Sequence, residues 1–342
     1  MMKIELYSTR RIMLCSVRDD KTTTRCRIVF DASAREGNGV SLNDCVLPAP
    51  ALQPNLASVL IRFRTNRIGL LMDIEKMFLQ SKLAPEDRDV NRYLWRDLQF
   101  NETPKVYRMQ RLTFGVNSSP FLAISTVHAH AKKYAELFPN AVQETLQNMY
   151  VDDVLTGADT VNSTMKLQQD MSEIMMKAAF NLTKWASNSE LVMDAIAPAK
   201  RGSSSLVEFE SSEPVKALVV SWDLTSDHFL LAPGGIVLSP DPTTKRSLLS
   251  LASKMFDALG FISPFTVRAK ILLQELWLKG LLWDGPLDSE IKAKWLHWKS
   301  ELLQLKGVTI PRCFGNGITQ ESKIELHGFG HAPPKRTYPR SW

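Results

Sequence analysis

The stretch "QNMYVDDVLTGAD", residues 147–159, sets Asp152 and Asp153 side by side between apolar residues. Like charges repel and burial strips their hydration, so the pair needs either a solvated turn or a nearby cation. Aspartate favours turns, and the string Tyr150–Asp153 taken alone reads as the tip of a hairpin. A metal site requires further carboxylates converging on the same place.

One such carboxylate comes earlier. "RIGLLMDIEKMFLQ", from Arg67, runs apolar through Leu70, Leu71 and Met72, reaches Asp73 and then turns helical. Acids delivered from different strands can hold two Mg2+ ions about 3.5–4 Å apart, activating an attacking oxygen and stabilising a leaving one. Adjacent residues of a regular strand face opposite ways, so Asp73 and Asp152 are the expected main ligands and Asp153 the weaker one.

The remaining chain reads as αβ material to about residue 240. "TRCRIVFD" (24–31) and "KVYRMQRLTFG" (105–115) are strand candidates, and "VKALVVSWD" with "HFLLAP" forms a short hairpin. Ser118, Ser119 and Pro120 open a helix, and Met165, Met171 and Met175 recur at helical spacing as core filling. After Thr243 three helical segments follow, ending at Gly260, Gly280 and Gly307. Trp277, Trp295 and Trp298 in these helices are expected to be core, and Trp185 and Trp222 are read as packing.

With 342 residues, 44% apolar and 23% charged, the chain can build two or three domains around real cores. Its net charge of +6 permits a polyanionic partner without requiring one. Arg10, Arg11, Arg18, Lys21, Arg25, Arg27 and Arg35 crowd the start, which suits either phosphate contact or a solvated face. The four cysteines show no zinc spacing with the six histidines, so reduced thiols are expected. No run reaches the ~18 apolar residues of a membrane span, and "MMKIELYSTRRIML" is too charged for a signal peptide. The expectation is a soluble intracellular protein, cytoplasmic and away from membranes.

In order along the chain, these segments resemble the reverse transcriptases of long-terminal-repeat retroelements, most closely the BEL/Pao retrotransposons, from about Thr22 to Gly330. "RIVFDASAREGNGVSLND" is similar to the fingers segment, where Arg27 matches a triphosphate-contacting arginine. "MDIEKMF" resembles the first palm motif, with Asp73 as metal ligand and Phe78 as the aromatic gate against a ribose 2′-hydroxyl. "FGVNSSP" resembles the second, in which Gly115 lets the backbone approach the nucleotide. "YVDD" resembles the third, and "FNLTKWASN" puts Lys184 near the nucleotide-associated lysine of the fourth. "VKALVVSWD" looks like the primer-grip hairpin.

The resemblance implies an α+β right-hand polymerase: partial fingers (1–66), a palm with an antiparallel sheet (67–240), a helical thumb- or connection-like region (241–310), and a truncated ribonuclease H-like start with a basic tail (311–342). It implies RNA-directed DNA polymerase activity, adding dNTPs to a primer 3′-hydroxyl on an RNA or DNA template. Two Mg2+ ions, with Mn2+ as a substitute, would sit on Asp73, Asp152 and Asp153. Arg27, Phe78, Gly115 and Lys184 would contact the dNTP.

Three features depart from the pattern. Little precedes the fingers strand, leaving Lys21 as a second triphosphate candidate; Val219 stands where the primer grip usually has glycine; and His331 stands where ribonuclease H has an aspartate. Eleven residues follow His331 and no Asp-Thr-Gly or Asp-Ser-Gly triplet occurs, so neither ribonuclease H nor protease activity is expected. The competing reading is an inactive, truncated retroelement remnant that retains nucleic-acid binding. A nuclease or other two-metal phosphotransferase is the third.

Overall fold

The computed structural model describes residues 13–17, 26–35, 37, 39–95, 103–202, 205–210, 217–231, 234–255, 257–315, 323 and 325. The chain opens with a hairpin, β1 (Met13–Val17) and β2 (Cys26–Phe30), paired antiparallel. α1 (Leu42–Cys45) starts at a capping box between Ser41 and Asp44. α2 (Leu56–Phe63), capped by Asn55, buries Leu56, Val59, Leu60 and Phe63, the i, i+3, i+4, i+7 stripe of one helix face.

β3 (Ile68–Ile74) is buried at every position but its first, and α3 (Met77–Gln80) follows at once. A second hairpin, β4 (Arg92–Trp95) and β5 (Lys105–Arg108), precedes α4 (Ser119–Lys132) and α5 (Pro139–Asn148). The strand expected over 105–115 therefore stops at Arg108, and α5 is a helix the sequence reading did not single out. β6 (Met149–Tyr150) and β7 (Asp153–Ala158) form a tight hairpin ahead of α6 (Val161–Met176), β8 (Leu182–Ser187) and α7 (Glu190–Asp194).

β3 lies inside an antiparallel sheet ordered β6-β7-β3-β8. Both faces are covered, which is why "GLLM", residues 69–72, is a continuous apolar run rather than an alternating one. On one face Leu70, Met72 and Ile74 pack with Ile124 and Val127 of α4, Val142 of α5, and Leu167, Met171 and Met175 of α6. On the other, Leu71 and Leu155 meet α2 together with Trp222, Phe229 and Leu231. Burying each such large apolar side chain stabilises the fold by about 1.5–3 kcal/mol.

Trp222, Phe229 and Leu231 belong to a second antiparallel sheet, β9 (Leu206–Glu210), β10 (Ala217–Asp223), β11 (His228–Leu231) and β12 (Thr309–Pro311), ordered β12-β11-β10-β9. The expected short hairpin is thus the centre of four strands. β12 joins it from far along the chain, spanning the position expected as a domain boundary. Between β11 and β12 come α8 (Gly234–Val237), α9 (Lys245–Ser253), α10 (Ser263–Leu278) and α11 (Ser289–Glu301). These helices close a third core around Leu248, Leu272, Leu276, Ile291, Trp295 and Trp298.

Trp295 and Trp298 are 1% exposed, as expected, but Trp277 is 53% exposed. Its ring meets Trp283 edge-on at 5.1 Å and carries the Lys245 ammonium 3.2 Å above its face. The core expectation for Trp277 is corrected: α10 turns that position outward, and the ring covers an otherwise buried lysine. Among the described residues no helix is long and apolar enough to cross a membrane. At the level of antiparallel sheets backed by helices, the α+β expectation stands.

Candidate active site

Asp73 is the penultimate residue of β3 and only 9% exposed. An ionised carboxylate at that depth needs compensating partners. Across the sheet its register partner is Asp153, the first residue of β7, so the two acids lie on the same face. Asp152 belongs to the turn that joins β6 to β7, and its carbonyl accepts the Ile74 amide at 2.8 Å. The strand-alternation argument therefore does not extend to Asp152, and the register sets Asp153 rather than Asp152 directly opposite Asp73.

The turn is two residues long, since Tyr150 pairs with Asp153. Two-residue hairpins favour glycine or asparagine at positive φ. Here Val151, a β-branched residue, takes φ +58° at a cost of roughly 1–2 kcal/mol. Strain of this kind is retained where neighbouring structure over-determines it.

Lys184 reaches the acids through an irregularity of β8. Leu71 pairs with Ala186 and Asp73 with Thr183, so Lys184 and Trp185 together oppose Met72 alone. This is a bulge with one extra residue on β8, and Lys184 occupies its left-handed position at φ +53°. Trp185 consequently points into the core shared with Met72. The Lys184 side chain turns to the opposite face, where Nζ lies 2.8 Å from Asp73 Oδ2. Thr183 Oγ1 approaches the other oxygen, Asp73 Oδ1, at 3.4 Å.

Burial on its own pulls the Lys184 pKa down. The hydrogen bond to Asp73 and the attraction of Asp73, Asp153 and Asp152 outweigh it, holding the ammonium above its ordinary value. One cation thus sits in the field of all three predicted acids. Among the described residues no three His, Cys, Asp or Glu side chains close around a metal position. Hard carboxylate oxygens gathered about one positive charge are nevertheless the donor chemistry that suits Mg2+.

The other predicted residues are less close-knit. Phe78, in α3, is 5% exposed and packs its ring against Phe114 at 4.8 Å, within the core under the sheet. Gly115 has φ +94°, and a Cβ there would lie 2.1 Å from the Phe30 carbonyl oxygen. Its lack of a side chain is thus required by the close approach of the 114–117 loop to the end of β2. Arg27 lies in β2, and its side chain is outside the described part of the structure, as is that of Val219 in β10. Lys21 and His331 lie outside the described residues altogether.

Two polar centres escaped the sequence reading. Asn43 Nδ2 donates to the Gly115 carbonyl at 2.9 Å and to Ser33 Oγ at 2.9 Å, while its Oδ1 accepts the Asn117 amide at 3.0 Å. It clamps α1, the turn that follows β2 and the 114–117 loop together. Arg312 is fully buried and forks onto Asp227 at 2.6 and 2.9 Å, joining β12 to the β10–β11 turn. Neither carried a sequence signal beyond its residue type.

A family model described as a Pao retrotransposon-like RNaseH-like domain matches residues 244–339, a little over a quarter of the chain. No curated protein matches. The foamy viral protease-reverse transcriptase dRH in complex with double-stranded DNA is similar at a TM-score of 0.56 and 16% identity, covering 86% of this chain and 44% of that one. The foamy viral protease-reverse transcriptase in complex with an RNA/DNA hybrid gives 0.55 and 16%, covering 86% and 33%. The chain spans less than half the length of either, and at this identity the likeness is one of fold. The 244–339 segment is thus similar to a Pao retrotransposon-like domain, and the chain shares its fold with these two structures.

Proposed function

We propose that this chain carries the nucleotidyl-transfer centre of a retroelement reverse transcriptase, with the β6-β7-β3-β8 sheet as the palm of a right-hand polymerase. The observation that carries the reading is the meeting of Asp73 with the Asp152–Asp153 turn across two antiparallel strands, around one lysine. Asp73, Asp152 and Asp153 would hold the divalent ions. When bound, those ions supply charge neutralisation at the attacking and leaving oxygens.

The chain's own groups position the reactants. The strained Val151 turn fixes where Asp152 stands, the Asn43 clamp orders the loop beside β2, and Lys184 offers a cation at the edge of the acid cluster for a phosphate oxygen. Template and primer would be held through their backbones and read by base pairing, so binding weakens as salt rises.

A second reading, a non-catalytic binder of RNA–DNA hybrid, draws support from the depth of Phe78 and from the absence of a closed metal cluster among the described residues. The likeness of the 244–339 segment to an RNaseH-like domain raises a third, hybrid cleavage by that segment. Acids there such as Asp284, Asp288 and Glu301 are taken up in ion pairs with Arg246, Lys279 and Arg268.

Primer extension on an RNA template with Mg2+ and dNTPs separates the three. Extension by the wild type and its loss in Asp152→Ala supports polymerisation. No extension together with salt-sensitive hybrid binding leaves the binder, and RNA cleavage within the hybrid, unaffected by Asp152→Ala, would favour the hydrolase.

A further inference from the structure

On an unbroken β8, Lys184 would lie on the core face with Met72, because its neighbour Thr183 already shares the face of Asp73. The bulge reverses this by letting Trp185 fill the core position while Lys184 turns to the acids. It does so with a lysine at φ +53°, where glycine is the residue of least strain. A backbone distorted at a non-glycine residue, and yielding a 2.8 Å contact between an ammonium and a nearly buried carboxylate, indicates that the charge is placed there for a purpose. The lysine side chain stays 53% exposed, so the ammonium can swing into water without unpacking the core, whereas Asp73 at 12% cannot leave. The mobile member of the pair is the cation.

From this geometry we infer that Lys184 is a built-in counter-ion: it holds Asp73, Asp152 and Asp153 together before metal arrives, and a divalent cation displaces it from Asp73. The inference rests on the proposed metal-dependent function and deepens it. Lys184 is then a positioning residue for the acids, and metal binding competes directly with its ion pair. Displacement frees the ammonium without moving the strand, because the bulge fixes the backbone and only the side-chain torsions change.

Binding of Mn2+ alone to the full chain, followed by the electron paramagnetic resonance of the free ion, reads the competition without requiring activity. Water screens a half-exposed ammonium, so Lys184→Gln should tighten Mn2+ binding by about tenfold rather than by the far larger factor of a dry pair. Lys184→Arg should restore wild-type affinity, and Asp73→Asn should weaken binding in every background. Should Lys184→Gln fold poorly, Lys184→Gly provides the same loss of charge with an unstrained bulge. Equal Mn2+ affinity in wild type, Lys184→Gln and Lys184→Gly, with Asp73→Asn still weakened, would overturn this inference alone. Failure of all of these proteins to bind Mn2+ would overturn the metal-site reading and this inference with it.

Discussion

Replacing Arg312 with methionine tests how the distant β12 strand is fastened to the rest of the molecule. The guanidinium is fully buried. Besides its fork to Asp227, it donates to the carbonyls of Phe63 at 2.8 Å, Asn66 at 2.9 Å and Arg67 at 2.8 Å, and lies 5.1 Å from the ring centre of Phe63. Methionine keeps apolar volume but removes every donor. Removing one partner of a buried ion pair costs about 3–5 kcal/mol. Asp227 keeps hydrogen bonds from Trp222 Nε1 at 2.9 Å and Asn188 Nδ2 at 3.0 Å and is 25% exposed, which moderates the loss. The Arg67 carbonyl keeps a hydrogen bond from Asn188 Nδ2 at 3.1 Å, while the carbonyls of Phe63 and Asn66 lose the guanidinium donor, which acts the other way at about 1 kcal/mol or more each where water cannot reach them.

A loss of about 4 kcal/mol follows, a large share of the roughly 5–15 kcal/mol that holds a domain folded. Urea unfolding followed by tryptophan fluorescence measures it, with Trp222 in the affected core as reporter and an unchanged m-value as the check on comparability. Arg312→Lys should recover only part, because an ammonium cannot serve the carboxylate and three carbonyls in the same fork geometry. In a double-mutant cycle with Asp227→Asn the two losses should fall short of additivity by about 1–3 kcal/mol. A loss below about 1 kcal/mol, or strict additivity, would refute the claim that this buried pair fastens β12.

Gly115→Ala should lower stability by at least about 1–3 kcal/mol, the cost of a non-glycine at positive φ, with the overlap against Phe30 added; thermal unfolding reports it, and an unchanged midpoint would count against the close approach. Trp277→Ala and Trp295→Ala should differ sharply: the buried Trp295 should cost about 3–5 kcal/mol in urea unfolding and the exposed Trp277 much less. At the start of α11, the hydrogen bond from Lys279 and that from the Ile291 amide hold the Asp288 carboxyl below its ordinary 3.8. Its contribution is therefore present above that value and lost as pH falls through the lower folded value. The stability gap between wild type and Asp288→Asn should be constant near neutrality and close under acid, and a gap independent of pH down to strong acid would contradict the assignment.

Much of the local architecture is legible without coordinates. The serine and proline start of α4 and the methionine spacing of α6 each express a rule that one helix imposes on its own residues, whereas α2 emerged only with its packing. The acids Asp73, Asp152 and Asp153 are legible too, because each stands at the end of an apolar run where a strand must turn. Their grouping around Lys184 is not, since it depends on a single extra residue in β8 that reverses the facing of everything on one side of it.

Phe78 and Trp277 show the same limit from opposite directions, the first drawn into the core and the second turned out of it. Residue type and spacing name an aromatic ring; the helix or strand packed over it decides whether water reaches it. The Arg312–Asp227 pair joins positions 85 apart, and the Arg312–Phe63 bond positions 249 apart. No local rule could match them, because their attraction acts only after two sheets have docked and excluded water. Apolar runs and capping residues mark the site-bearing strands, the longer helices and the three acids, because those signals are local; the docking of the elements decided where the 105–108 strand stops, which charge stands among the acids and which buried pair closes the chain.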